Sequence, residues 1–208
     1  MCNFVKKLMN NLPMPLQQKG PLTIGDKLPQ FLKKVVVTKD EEIKIMDMTH
    51  QYAAEQGKWT ILFWWPKDFT FVCPTEIIEF DNHRGSFSER NAMLIGASTD
   101  SEYVHLGWRQ NHPGLQKLSI PMLADTSKSL AEAMGILDCN EKVAYRATFI
   151  IDPKGIIQWV SVYPMNVGRN VVEVIRVLDG LQTEELTGCN WTRGEQTITA
   201  KLKEGILV

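Results

Sequence analysis

The stretch of this chain with the most chemical potential is Pro66-Lys67-Asp68-Phe69-Thr70-Phe71-Val72-Cys73-Pro74-Thr75-Glu76. Cysteine acts as a nucleophile through its thiolate, and a helix N-terminus favours that form, because unpaired amides and the helix dipole face the sulfur. Pro74 marks such a terminus, since proline suits the first helical position, where its missing N–H costs nothing. Cys73 is therefore predicted at a helix start, with Glu76 in the first turn. The dipole supplies roughly 0.3–2 kcal/mol. Even complete ionisation of an ordinary thiol at pH 7 enlarges the reactive fraction only ~30-fold, whereas enzymes accelerate by ~10⁶ or more. A reactive Cys73 needs partners that stabilise a transition state. Thr70, one turn away, is a candidate, and so is a guanidinium brought in by the fold.

The other cysteines, Cys2, Cys139 and Cys189, form no C-x-x-C pair with Cys73 or with one another. That removes the usual zinc knuckle and the thioredoxin dithiol. In a reducing compartment such isolated cysteines are either inert packing residues or individually reactive thiols. The histidines (His50, His83, His105 and His112) show no H-x-x-x-H or H-E-x-x-H spacing, so no metal site is predicted. With neither G-x-G-x-x-G nor a Walker loop, no cofactor is predicted either. Asn190-Trp191-Thr192 matches the glycosylation sequon and is read as chance.

These residues have to be positioned by a folded domain, and 208 residues at 44% hydrophobic and 23% charged suit one soluble domain. Residues 1–20 read as a tail, 21–183 as the domain, and 184–208 as a polar C-terminal arm. Trp59 to Trp65, Met93 to Ala97 and Ala147 to Ile151 are apolar runs of the length of buried strands. Asp152-Pro153-Lys154-Gly155 is a turn, and Ile156 to Tyr163 alternates like the return strand of a hairpin. Helical spacing appears over Pro74 to about Glu89, Ser101 to Gln110, Ser127 to Met134 and Val167 to Leu181. In the last of these, Arg169, Glu173 and Arg176 fall off the apolar face. The order implies an α/β fold with a mixed central sheet.

Charge and hydropathy limit the partners. Lys and Arg number 23 against 24 Asp and Glu, a net of −1, which gives no support to nucleic-acid or anionic-membrane binding. The longest purely apolar run, Ile61 to Trp65, is far short of the ~20 residues of a membrane span. Met1-Cys2-Asn3-Phe4-Val5-Lys6-Lys7 has no apolar core and no small-residue cleavage site, so a cytoplasmic location is expected.

The pattern Pro-x-x-x-Thr-x-x-Cys, here Pro66, Thr70 and Cys73, resembles the active-site loop of the peroxiredoxins. The longer string Phe-Thr-Phe-Val-Cys-Pro-Thr-Glu is similar to the alkyl hydroperoxide reductase type of that family, AhpC. Leu22-Thr-Ile-Gly-Asp26, Ser98 to Trp108, Arg146-Ala-Thr-Phe-Ile-Ile-Asp152 and Val167-Gly-Arg-Asn170 resemble further family segments, so the likeness runs over about residues 22–191. It implies a thioredoxin-like fold and reduction of hydrogen peroxide and organic hydroperoxides. Cys73 would be the attacking thiolate and become a sulfenic acid. Thr70 would hydrogen-bond the peroxide, Arg146 would hold thiolate and substrate oxygens, and Pro66 would shield the site. Glu76 would orient the arginine, with Arg169 in support. The resemblance also implies a homodimer that assembles into a ring. The external dithiol reductant would be a thioredoxin, a flavoprotein disulfide reductase or an AhpD-like adapter.

Two departures from the family pattern matter. Where the two-cysteine group has its resolving cysteine, four residues before a tryptophan, this chain has Thr187, and Cys189 lies two before Trp191. Some actinobacterial-type relatives carry a cysteine at that shifted place, so Cys189 from a partner copy is the expected resolving thiol, with Cys139 as an accessory thiol. Over-oxidation-sensitive members carry Gly-Gly-Leu-Gly and a C-terminal Tyr-Phe, whereas this chain has Pro113-Gly114-Leu115-Gln116 and no Tyr or Phe after Trp191. Two alternatives stand beside this reading. One is a one-cysteine peroxidase resolved by an external thiol. The other is a ring-forming holdase chaperone with a redox switch.

Overall fold

The computed structural model describes residues 20–206. Apart from Gly20, the expected tail lies outside the described residues, and Cys2 with it. Seven strands form one mixed sheet in the order β2-β1-β5-β4-β3-β6-β7. In chain order these are β1 (Leu32–Lys39), β2 (Glu42–Thr49), β3 (Trp59–Trp64), β4 (Ala92–Ser98), β5 (Met122–Ala124), β6 (Arg146–Ile151) and β7 (Ile157–Tyr163). The central strands β3, β4 and β5 run parallel, and the flanking pairs are antiparallel. The helices are α1 (Cys73–Asn82), α2 (Arg84–Ser88), α3 (Glu102–Asn111), α4 (Ser129–Ala133), α5 (Val171–Thr183) and α6 (Ile198–Lys203).

Strand β3 reads as an unbroken apolar run because both of its faces are covered. Ile61 and Phe63 pack with Ile77 and Phe80 of α1, Trp108 of α3 and Leu178 of α5. Leu62 and Trp64 face the opposite layer with Leu130, Phe149 and Ile157. The same alternation sets the site. In β6, Ala147, Phe149 and Ile151 belong to the second layer, so Arg146 and Thr148 are turned toward the α1 side with Ile150. At Gly96 of β4 an added Cβ would meet the Trp65 ring at 2.7 Å and the Phe63 ring at 2.9 Å, so only glycine admits those rings across the strand.

Four departures from the sequence expectation have physical causes. First, the β1–β2 hairpin and the three-residue β5 are additional strands. The hairpin turn is Asp40-Glu41, with both residues at positive φ (54° and 65°), the left-handed pair a two-residue turn demands, here without glycine or asparagine. Second, the helix expected from Pro74 to Glu89 divides at His83 into α1 and α2, and α1 begins at Cys73, which makes Pro74 its second residue. Third, the helix expected from Val167 begins at Val171, where the Asn170 side chain accepts from the amides of Val172 and Glu173. Arg169 thus precedes the helix. Fourth, the C-terminal arm folds back into α6 and buries Trp191, whose indole N–H donates to the Glu195 carbonyl.

Candidate active site

Cys73 opens α1 at the C-terminal end of β3 and is 1% exposed. Its sulfur accepts a hydrogen bond from Nη1 of Arg146 at 3.4 Å. Arg146 is the first residue of β6 and is itself buried; its Nε donates to the Met165 carbonyl at 2.8 Å, which fixes the guanidinium plane. The same Nη1 donates to Oε2 of Glu76 at 2.7 Å. Glu76 sits three residues beyond Cys73 on α1, so the helix presents sulfur and carboxylate on one face to one arginine.

Arg169 closes the cluster from the loop before α5. Its backbone N–H and Nε reach Oε1 of Glu76 at 3.0 and 2.8 Å, and its Nη2 reaches Oε2 at 3.0 Å. Nη1 donates to the Ala147 carbonyl at 2.9 Å and to the Thr148 hydroxyl at 3.2 Å. The guanidinium also lies 5.5 Å from the ring centres of both Phe63 and Phe80. Burial pushes the Arg169 guanidinium down from its ordinary range, and Glu76 opposes that shift. Two guanidiniums against one carboxylate leave a single unmatched positive charge, and Cys73 Sγ is the acceptor on it. A water-excluded cation fixed beside a nucleophilic sulfur stabilises the thiolate and any negative charge that develops on an oxygen next to it.

The loop from β3 to α1 forms the mouth of the site. Pro66 is buried, and the Thr70 hydroxyl donates to the Lys67 carbonyl at 2.9 Å, which leaves its oxygen free to accept. A cavity of about 250 Å³ above the sulfur is lined by Pro66, Lys67, Thr70, Phe71, Val72, Cys73, Glu141, Arg146 and Met165. Asp68 anchors the loop. Its carboxylate accepts from the Trp65 indole at 2.7 Å and lies 2.7 Å from Nδ1 of buried His105, and its N–H donates to Asp100 at 2.9 Å. Burial pushes the Asp68 carboxyl up, against the pull of His105.

The structure thus gathers Cys73, Arg146, Pro66 and Thr70 around one cavity, with Glu76 bonded to Arg146 and Arg169 bonded to Glu76 behind them. Cys189 and Cys139 are both exposed, and neither lines this cavity. Cys189 borders a separate depression of about 430 Å³ with Trp191 and Lys201. Sequence reading did not single out Asp68, His105, Lys67 or Glu141. The first three stand within the segments already quoted, where any aspartate or histidine beside the nucleophile merited a role. Glu141 had no such signal. Among the described residues no group of three potential ligands is placed to hold a metal, and no helix is long and apolar enough to cross a membrane.

The chain is similar to known proteins over most of its length. Alkyl hydroperoxide reductase C of Mycolicibacterium smegmatis is 45% identical over 188 residues, 86% of this chain and 94% of that protein. Peroxiredoxin tpx1 of Schizosaccharomyces pombe is 41% identical over 191 residues, 88% of this chain and 96% of that protein. Among solved structures, Mycobacterium bovis AhpC superposes with a TM-score of 0.75 at 42% identity, covering 83% of this chain and 99% of its own. The reduced 2-Cys peroxiredoxin of Plasmodium vivax gives a TM-score of 0.76 at 32% identity, covering 85% and 93%. The fold is therefore thioredoxin-like. The AhpC/TSA family matches residues 24–160, more than half of the sequence, and the chain belongs to that family.

Proposed function

We infer that this chain is a thiol-dependent peroxidase in which Cys73 is the reacting thiol. The carrying observation is the buried Cys73 sulfur held by Arg146, whose own position is set by Glu76 and the Met165 carbonyl. The thiolate attacks the terminal oxygen of a hydroperoxide, an S–O bond forms, and the O–O bond breaks. Sulfur loses two electrons and becomes a sulfenic acid, while the departing oxygen takes a proton and leaves as water or an alcohol. Negative charge grows on that oxygen as the bond breaks, and the Arg146 guanidinium stabilises it. Thr70 accepts the peroxide O–H, and Pro66 excludes water.

Resolution requires a second thiol. Cys73 is 1% exposed, so the first turn of α1 has to unwind before a partner approaches. We assign that partner as Cys189, in the arm of residues 184–208, from another copy of the domain spanning 21–183. Its attack on the sulfenic sulfur releases water and leaves a disulfide, which an external dithiol reduces. Exposed Phe71 (95%) and Phe69 (59%) beside Pro74, Ile78 and Trp108 form an apolar surface next to the loop, and that surface supports assembly of dimers into a ring. A cytoplasmic site of action suits a cycle in which an external dithiol returns Cys73 to its thiol.

The test is a non-reducing gel with peptide mapping after peroxide treatment. A covalent dimer bearing a Cys73–Cys189 peptide is expected, and Cys73→Ser should lose turnover with its fold intact. A Cys73–Cys139 peptide, or a dimer that persists in Cys189→Ser, overturns the resolving assignment. Monomeric Cys73 sulfenate cleared only by added thiol would mean a one-cysteine enzyme. Suppression of client aggregation by Cys73→Ser would add a chaperone activity independent of the thiol.

A further inference from the structure

Glu141 reaches the Cys73 cavity from outside the active-site segment. It belongs to the turn between Leu137 and Ala144, which pair in an isolated bridge. The Asp138 carboxylate braces that turn, accepting from the amides of Asn140 (3.0 Å) and Glu141 (2.7 Å) and from the Tyr145 hydroxyl (2.6 Å). From this braced backbone the Glu141 carboxylate crosses the cavity mouth to Nζ of Lys67 at 2.5 Å. Their side chains are 54% and 49% exposed, so the pair sits on a wet rim above buried Arg146 and Cys73.

An ion pair this exposed contributes little to stability. Its consequence lies in the charge met by an incoming molecule. Without Glu141, the entrance would present the Lys67 ammonium above the Arg146 guanidinium and would draw anions inward. With Glu141 in place, Lys67 is already matched, and a second carboxylate has to displace the first or lie beside it. Hydrogen peroxide and plain alkyl hydroperoxides carry no charge and pass unaffected. On the peroxidase reading above, we propose that the Glu141–Lys67 pair is a charge filter that selects uncharged hydroperoxides against those bearing a distal anionic group. Both residues set specificity and neither touches the reacting oxygens.

One unit charge at ~6 Å in a largely aqueous mouth changes a rate by roughly three- to tenfold at low ionic strength. The effect fades as salt shortens the Debye length from ~30 Å at 0.01 M to ~3 Å at 1 M. The probe is an alkyl hydroperoxide with a terminal carboxylate, compared with its own methyl ester. Single-turnover oxidation of Cys73 is read by mass spectrometry and scaled to hydrogen peroxide on the same variant. Glu141→Gln should raise the acid-to-ester rate ratio about three- to tenfold, Lys67→Gln should lower it by a similar factor, and high salt should compress both changes. A ratio that stays within twofold of wild type in Glu141→Gln, or a change indifferent to salt, overturns the filter while leaving the peroxidase reading intact. Failure of hydrogen peroxide to oxidise wild-type Cys73 would end the peroxidase reading, and the filter with it.

Discussion

Glu76→Gln is the most informative single substitution, because the structure lets its cost be worked out beforehand. The two carboxylate oxygens accept four hydrogen bonds: Oε1 from the backbone N–H and Nε of Arg169, and Oε2 from Nη1 of Arg146 and Nη2 of Arg169. An amide of the same shape has one oxygen to accept two of these bonds, and its NH₂ faces the other two donors. Losing two charge-assisted bonds at ~1.5–3 kcal/mol each gives about 3–6 kcal/mol, in line with the ~3–5 kcal/mol for breaking a buried ion pair from one side. A chain of this size loses ~2–4 °C in melting temperature per kcal/mol, so a drop of roughly 6–24 °C is expected. The assay is thermal unfolding of the reduced protein at fixed concentration, with stopped-flow oxidation of Cys73 alongside, which should slow at least tenfold as Arg146 loses its brace. The cluster charge rises from +1 to +2 in Glu76→Gln and returns to +1 when Arg169→Met is added. The double variant should therefore be more stable than the sum of the two single losses predicts by ~0.5–3 kcal/mol, a coupling typical of contacting residues. A melting temperature within 3 °C of wild type, or simple additivity in the double variant, would refute the reasoning.

Arg146→Ala and Thr70→Val should each slow Cys73 oxidation by more than the ~30-fold ceiling set by ionisation, and recovery of the wild-type rate at high pH would contradict that. The Asp138 carboxyl is held below its ordinary 3.8, first by the Tyr145 hydroxyl and then by the Glu141 amide. Its bracing of the turn is therefore complete above pH ~3.8 and lost as pH falls through the depressed value. In Tyr145→Phe the acid midpoint of the Glu141 amide signal in an NMR titration should move up toward 3.8, and an unmoved midpoint would exclude the hydroxyl as the main cause. Residues 192–208 carry no Tyr or Phe to pin the first turn of α1, so disulfide formation should outrun further oxidation, and sulfinate at Cys73 in low peroxide would count against this.

Much of this architecture was readable in the residues. Strands β3 and β6 announce themselves as apolar runs because both of their faces are buried, whereas β7, at the sheet edge, is mostly half-buried and mixes polar with apolar residues. The β1–β2 hairpin was hidden for a physical reason. Its turn takes left-handed backbone from Asp40 and Glu41, residues that do not advertise it. The start of α5 was legible after all, since Asn170 followed three residues later by Glu173 is a cap signal. The helical spacing of Val167, Val171 and Val174 obscured it and misplaced Arg169. The loop around Cys73 could be read locally. The pairing of Glu76 with Arg146, 70 positions away, came only from resemblance, and the direct Arg169 bonds to Glu76 came only from the structure, because no local pattern encodes which distant charge a topology will deliver.

The Asp68 anchor has a mechanical corollary. By tying the chain to Trp65, His105 and Asp100, it divides the active-site loop into a stator and a rotor. Pro66 and Lys67 lie on the fixed side, while Thr70 through Cys73 lie beyond the joint. The joint itself is Phe69, whose φ of 55° is an uncomfortable left-handed setting for an aromatic residue. On the proposed cycle, unwinding of α1 would release that setting and refolding would restore it. Four residues of tether, fully extended, span roughly 13 Å. That radius bounds where the sulfur of Cys73 can travel, and any second thiol that meets it has to be delivered inside the same arc.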